Sequence, residues 1–72
     1  MNELKKLNKK KVAQNVGRLI CESKLPNEEI AFKLDVSTRL LYYWQTGKRL
    51  PSTENIYALS QFFQVSMESI LA

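Results

Sequence analysis

No histidine occurs among the 72 residues, and that absence removes most of the chemistry a small domain can perform. A Ser-His or Cys-His nucleophile pair cannot be assembled. With a single cysteine, Cys21, and no imidazole, a structural zinc ion lacks its ligands. Glu28 and Glu29 are adjacent carboxylates, but neighbours in a first helical turn point apart and serve the helix dipole. The two glycines, Gly17 and Gly47, build no phosphate-cradling loop. An enzyme is therefore not expected, nor a metal, a cofactor or a small-molecule ligand. What remains is hydrogen-bonding and cationic. Thr38, Arg39, Tyr42, Tyr43 and Thr46 fall in one short stretch, Lys48 and Arg49 follow it, and lysines crowd the N-terminus.

The formal net charge of +4 is unevenly placed. Residues 1–11 carry Lys5, Lys6, Lys9, Lys10 and Lys11 against Glu3, whereas six basic and six acidic residues cancel over 12–72. A basic N-terminal segment on a small domain suits an anionic polymer, with Lys9 and Lys10 gripping phosphates regardless of sequence. A solvated tail that only aids solubility is the plainer alternative. The longest apolar run, Leu40 to Trp44, is far short of the roughly 20 residues a membrane helix needs. No signal peptide is evident, so a soluble, cytoplasmic chain is expected.

The hydrophobic spacing calls for five helices and no strand. Residues 1–8 are expected to form a flexible basic arm and 9–72 one domain. A chain of this size buries only about 60% of its unfolded surface, so its stability margin is thin. Asn8 is a candidate N-cap for a helix running to about Ser23, although Lys9, Lys10 and Lys11 oppose its dipole. Val12, Val16, Leu19 and Ile20 trace its apolar stripe, continued by Ser23 or Cys21, and Cys21 reads as a small buried apolar residue. Leu25 should plug the core between helices. Asn27 is expected to cap a second helix with its buried face at Ile30, Ala31 and Leu34. Asp35 and Val36 turn, and Ser37 caps a third helix that buries Leu41 and Trp44 and stops at Gly47. Ser52 or Thr53 opens a fourth, with Ile56, Leu59, Ser60 and Phe63 inward. Val65 plugs inward, and Ser66 caps a short fifth helix carrying Met67, Ile70 and Leu71.

Two helices joined by a tight turn, with small Ala31 where they must cross closely, describe a helix-turn-helix over 25–51. The stretch resembles the phage-repressor class, the Cro and lambda-repressor group also called the XRE family. The anchors are Glu29-Ile30-Ala31, Leu34, Val36-Ser37, Leu41, Trp44, Gly47-Lys48 and Pro51. The likeness extends loosely from about Val16 to Leu71. It implies an all-α, five-helix, lambda-repressor-like DNA-binding domain whose partner is double-stranded DNA. The implied role is a sequence-specific transcriptional regulator, most simply a repressor or autoregulator.

In such domains the second helix of the motif enters the major groove. Positions matching the family's base readers are Thr38, Arg39 and Tyr43, with Tyr42 beside them. Arg39 is the strongest candidate, because a guanidinium can bond O6 and N7 of one guanine together. Its plainer alternative is an ion pair with Asp35, and Tyr42 is open to partial burial. Positions matching phosphate contacts are Asn27, Thr46, Lys48 and Arg49.

Two departures stand out. Ile20 and Gln45 occupy places where the family often pairs an arginine with a glutamate, and Leu40 stands where a small polar residue is usual. With Tyr42 and Tyr43, Leu40 makes this face more apolar than a groove reader requires. The alternative function is thus a protein-interaction module with Leu40, Tyr42 and Tyr43 as the partner-binding patch. Specific sites are commonly read by dimers, so a homodimer through the C-terminal helices is one hypothesis for this chain. Its candidates are Met67, Ile70, Leu71, Ala72, Tyr57 and Phe62, with Phe62 read as an exposed aromatic; the plainer reading, preferred for Met67 and Ile70, is that they close the core beneath the first helix.

Overall fold

The computed structural model describes residues 8–72, and all of its regular structure is helical: α1 Lys9–Ser23, α2 Asn27–Leu34, α3 Thr38–Thr46, α4 Thr53–Phe63 and α5 Met67–Leu71. No strand occurs among the described residues, in line with the expected all-α class. The expected N-terminal arm, apart from Asn8, lies outside the described residues.

Local signals start and stop these helices. Asn8 Oδ1 accepts hydrogen bonds from Lys10 N (2.9 Å) and Lys11 N (3.3 Å). Ser37, Ser52 and Ser66 each accept one from the backbone N–H three residues on. Each satisfies a donor that the first turn cannot satisfy itself. Four helices end on a residue of positive φ: Lys24, Asp35, Gly47 and Gln64.

α1 is the central beam. It packs across α3 and α5, while α4 touches α5 and α2, and α2 touches α3. The core joins Val12, Val16 and Ile20 of α1 to Ile30 and Ala31 of α2, and to Leu41 and Trp44 of α3. Ile56 and Leu59 of α4 and Ile70 of α5 complete it. Each large side chain so buried contributes about 1.5–3 kcal/mol. Leu34, Val65 and Phe63 are half-buried against this cluster.

A polar lock that periodicity does not reveal holds α5 in place. Asn15 is buried on α1, and its Nδ2 donates to the carbonyls of Ile70 (2.8 Å) and Ala72 (2.9 Å). The carbonyls at the end of a helix have no partners of their own, so a side chain 55 residues away in sequence supplies one.

Several expectations are corrected. Cys21 is exposed, because one step past Ile20 rotates it about 100° away from the Val12, Val16, Ile20 stripe. Leu25 does not plug the core. It is 36% exposed and rims an open cleft of about 390 Å³ with Leu19, Glu22, Ser23, Phe62, Phe63 and Val65. Asn27 does not cap α2: the N-cap is Pro26, whose carbonyl accepts from Glu29 N and Ile30 N, so Asn27 is already helical. Phe62 is half-buried, edge-to-face on Phe63 with centroids 4.9 Å apart. The exposed aromatics are instead Phe32 (82%), Tyr42 (57%) and Tyr57 (56%). Of the two readings open to Ile70 the core one holds: it is fully buried on a helix packed against α1, and so is no contact for a second copy.

Candidate nucleic-acid interface

The turn between α2 and α3 is built from backbone. Asp35, at φ 60°, donates its N–H to the carbonyls of Ala31 and Phe32, and Val36 N donates to Ala31 O (3.0 Å). The chain then reaches Ser37, whose Oγ accepts from Leu40 N at 3.0 Å and starts α3. Ala31, 2% exposed, belongs to the buried cluster that joins α2 to α3, where a larger side chain would have no room.

α3 is pinned by Leu41 (0% exposed) and Trp44 (2%), three residues apart on one face. Thr38, Arg39 and Tyr42 are exposed, and Tyr43 is half-buried. Arg39 therefore stands clear of the body in the first turn, next after Thr38. Leu40 is half-buried and packs against the core. Of the suggested patch Leu40, Tyr42 and Tyr43, only Tyr42 is largely exposed. Gln45, where the family often places a glutamate, donates its Nε2 back to Leu41 O (3.4 Å).

The C-terminal end of α3 gathers cations. Gly47, at φ 81°, reverses the chain. Its N–H, Lys48 N (3.0 Å) and Arg49 N (3.4 Å) all donate to the carbonyl of Tyr43. Lys48 and Arg49 are exposed, and Lys48 Nζ lies 5.8 Å from the centroid of the Tyr43 ring. A β-carbon on Gly47 would sit 3.7 Å from Ala13 Cβ and 4.0 Å from the carbonyl oxygen of Lys9. The end of α3 thus abuts the first turn of α1. Lys9, whose carbonyl faces Gly47, and the next residue Lys10 are both exposed, as are Lys48 and Arg49. Thr46 differs: its Oγ1 donates to Tyr42 O (3.1 Å) and Tyr43 O (3.4 Å), so its one proton is engaged within the helix. Asn27 is half-buried in the first turn of α2, the first of whose N–H groups have no side-chain cap.

Two features were not singled out from sequence. Asn15 is a buried polar residue with no periodic signature. Phe32 projects from α2 off the Ile30, Ala31, Leu34 stripe, and the same helical period that located the stripe would have placed it outward.

A family model described as helix-turn-helix matches residues 16–70. The chain belongs to the helix-turn-helix family. A curated relative, the HTH-type transcriptional activator BcrR of Enterococcus faecalis, is 33% identical over 48 residues, which is 67% of this chain. The match spans only 24% of that relative's length. No solved structure matches the chain significantly. Membership of the helix-turn-helix family supports DNA binding in transcription regulation rather than catalysis. Among the described residues there is no group of metal-ligating side chains, and no helix is long and apolar enough to cross a membrane.

Proposed function

We propose that this chain is a sequence-specific, double-stranded DNA-binding transcriptional regulator that lays α3 in the major groove. One observation carries the reading: Leu41 and Trp44 hold α3 from beneath while Thr38, Arg39 and Tyr42 of its first half face solvent. Arg39 bonds a guanine edge through both guanidinium arms, a contact worth about 1–3 kcal/mol of discrimination. Thr38 meets a base edge or a thymine methyl, and Tyr42 and Tyr43 complete the base-facing set. Asn27, Lys48, Arg49, Lys9 and Lys10 contact phosphates and set register without reading sequence. Thr46 joins them once its hydroxyl rotates from its own helix. Residues 1–8 act as a basic arm on domain 9–72.

In the simplest mechanism the bound domain excludes other proteins from its site, which represses. The relative is named a transcriptional activator, the opposite sign. Two copies reading half-sites one helical turn apart would provide the selectivity a single motif lacks. Tyr57, at 56% exposure, and the half-buried Phe62, Met67 and Leu71 are the apolar groups available for that contact. On this reading the chain works in the cytoplasm. A partner-binding patch at Leu40, Tyr42 and Tyr43 has less support, since Leu40 is engaged with the core.

Selection of bound sequences from a random duplex pool, followed by titration at two salt concentrations, tests the proposal. The expected result is a defined motif, palindromic if the dimer forms. Log affinity should fall with log salt by about 0.9 per phosphate contact. Binding with no sequence preference would overturn the assignment of α3. Sedimentation showing one copy both free and on a palindromic duplex would remove the dimer.

A further inference from the structure

Tyr43 and Lys48 are tied to each other twice. Lys48 N donates to Tyr43 O at 3.0 Å, and Lys48 Nζ lies 5.8 Å from the Tyr43 ring centroid. The backbone between them is held by Gly47 at φ 81°, which turns the lysine back over the helix it has just left. A half-buried ring at that point in α3 has few rotamers left, since one χ1 well runs into the preceding turn. An ammonium over the ring face is attracted by its quadrupole and favours one of those that remain.

We infer that Lys48 is a specificity-positioning residue, whose ammonium group holds the Tyr43 ring in the orientation it presents to a base edge. The inference rests on the reading of α3 as the groove-facing helix. It changes what Lys48 is for. A lysine that meets only phosphate adds affinity equally to every sequence. A lysine that also orients a base-facing ring makes its backbone contact and its neighbour's base contact rise and fall together.

The test uses the 72-residue chain in random-duplex selection and affinity measurement, with the variants Lys48→Met, Lys48→Arg, Tyr43→Leu and the Lys48→Met/Tyr43→Leu pair. Methionine keeps the unbranched stem and drops the charge. Lys48→Met is expected to weaken binding to all sequences. It should also cut discrimination about two- to fivefold at the base position that Tyr43→Leu flattens. Lys48→Arg, which keeps a cation that stacks on aromatic faces, restores that discrimination. In the Tyr43→Leu background, Lys48→Met changes affinity but not preference at that position.

If Lys48→Met weakens every sequence alike and leaves the preference profile intact, Lys48 is a phosphate contact alone; the inference fails and the reading of α3 stands. If Tyr43→Leu alters no base preference while Arg39→Ala does, the inference fails and Tyr43 leaves the base-facing set. A wild-type chain without sequence preference overturns both. A measurement without DNA checks the contact itself. The Tyr43 ring current should shift the Lys48 ε-methylene protons upfield relative to Tyr43→Leu, and identical shifts in the two proteins would overturn the inference. Thermal unfolding of each variant confirms that the helices persist.

Discussion

The two faces of α3 obey different rules. Leu41 and Trp44 point into a cluster drawn from all five helices, so their size and shape are dictated by what surrounds them. Thr38, Arg39 and Tyr42 touch solvent, and nothing inside the molecule dictates their chemistry. Residues on such a face are free to follow the demands of an external partner, whereas the buried pair is not. Stability and recognition should therefore separate cleanly on one nine-residue helix. They should blur only at its seam, where Leu40, Tyr43 and Gln45 are half-buried.

The buried face gives the largest expected effect. Trp44→Ala removes the largest fully buried side chain and should cost about 3–5 kcal/mol. A small domain has a total stability of only about 5–15 kcal/mol, so much of the margin would go. Urea denaturation followed by circular dichroism measures it. A loss below about 1 kcal/mol would mean that α3 is not held from beneath, and the contrast between its faces would collapse.

A smaller loss is expected at the lock between α1 and α5. Asn15→Ala leaves the Ile70 carbonyl buried without its partner and should cost about 1–3 kcal/mol. Asn15→Asp should cost more, because a carboxylate would face two carbonyl oxygens. Thermal unfolding of the two variants checks the order. DNA selectivity should be unchanged in either variant at temperatures where it stays folded, since neither alters the exposed face of α3.

The same contrast explains what was legible in the sequence. The Ser37 cap, the Leu41 and Trp44 pair and the Gly47 stop depend on neighbours within a few residues, and local rules locate them. Leu25, Cys21 and Phe62 depend on where other helices lie. Leu25 is hydrophobic yet stands at the rim of a cleft, and Phe62 lies on the same cleft, half-buried edge-to-face against Phe63. Asparagine favours the cap role, so local preference alone puts the start of α2 at Asn27. Pro26, already extended at φ −69° and ψ 149°, begins the helix one residue sooner. Asn15 was invisible because its partners are more than fifty residues away. For the site, the outward positions on α3 were readable from period alone. The convergence of α1's first turn on Gly47, which puts Lys9 near Lys48, was not.

On the exposed face, Arg39→Ala should change stability by less than about 0.5 kcal/mol, as surface substitutions do. Preference at one base position should nevertheless fall by about 1–3 kcal/mol. The binding profile from a random duplex pool and a denaturation curve, taken together, measure both. A loss of stability without a change in preference would place Arg39 with the structural residues and break the contrast from its other side.

The smallest effect lies at the helix ends, and a pair of opposite substitutions isolates it. Gly47 and Gln64 both occupy the left-handed region that ends a helix, at φ 81° and φ 57°. A side chain costs about 1–2 kcal/mol there, partly offset by the greater freedom glycine has in the unfolded chain. Gly47→Ala should thus destabilise by about 0.5–1 kcal/mol and Gln64→Gly should stabilise by about the same, read as opposite shifts in thermal midpoint. Their effects on DNA should not mirror each other. Gly47 carries the turn that returns Lys48 and Arg49 over Tyr43, and its β-carbon position faces the first turn of α1. Gln64 leads only into α5. Gly47→Ala should therefore weaken duplex binding beyond its stability loss, while Gln64→Gly leaves binding alone. Equal binding by the two variants under conditions where both are fully folded would show that the corner between α3 and α1 carries no part of the recognition surface.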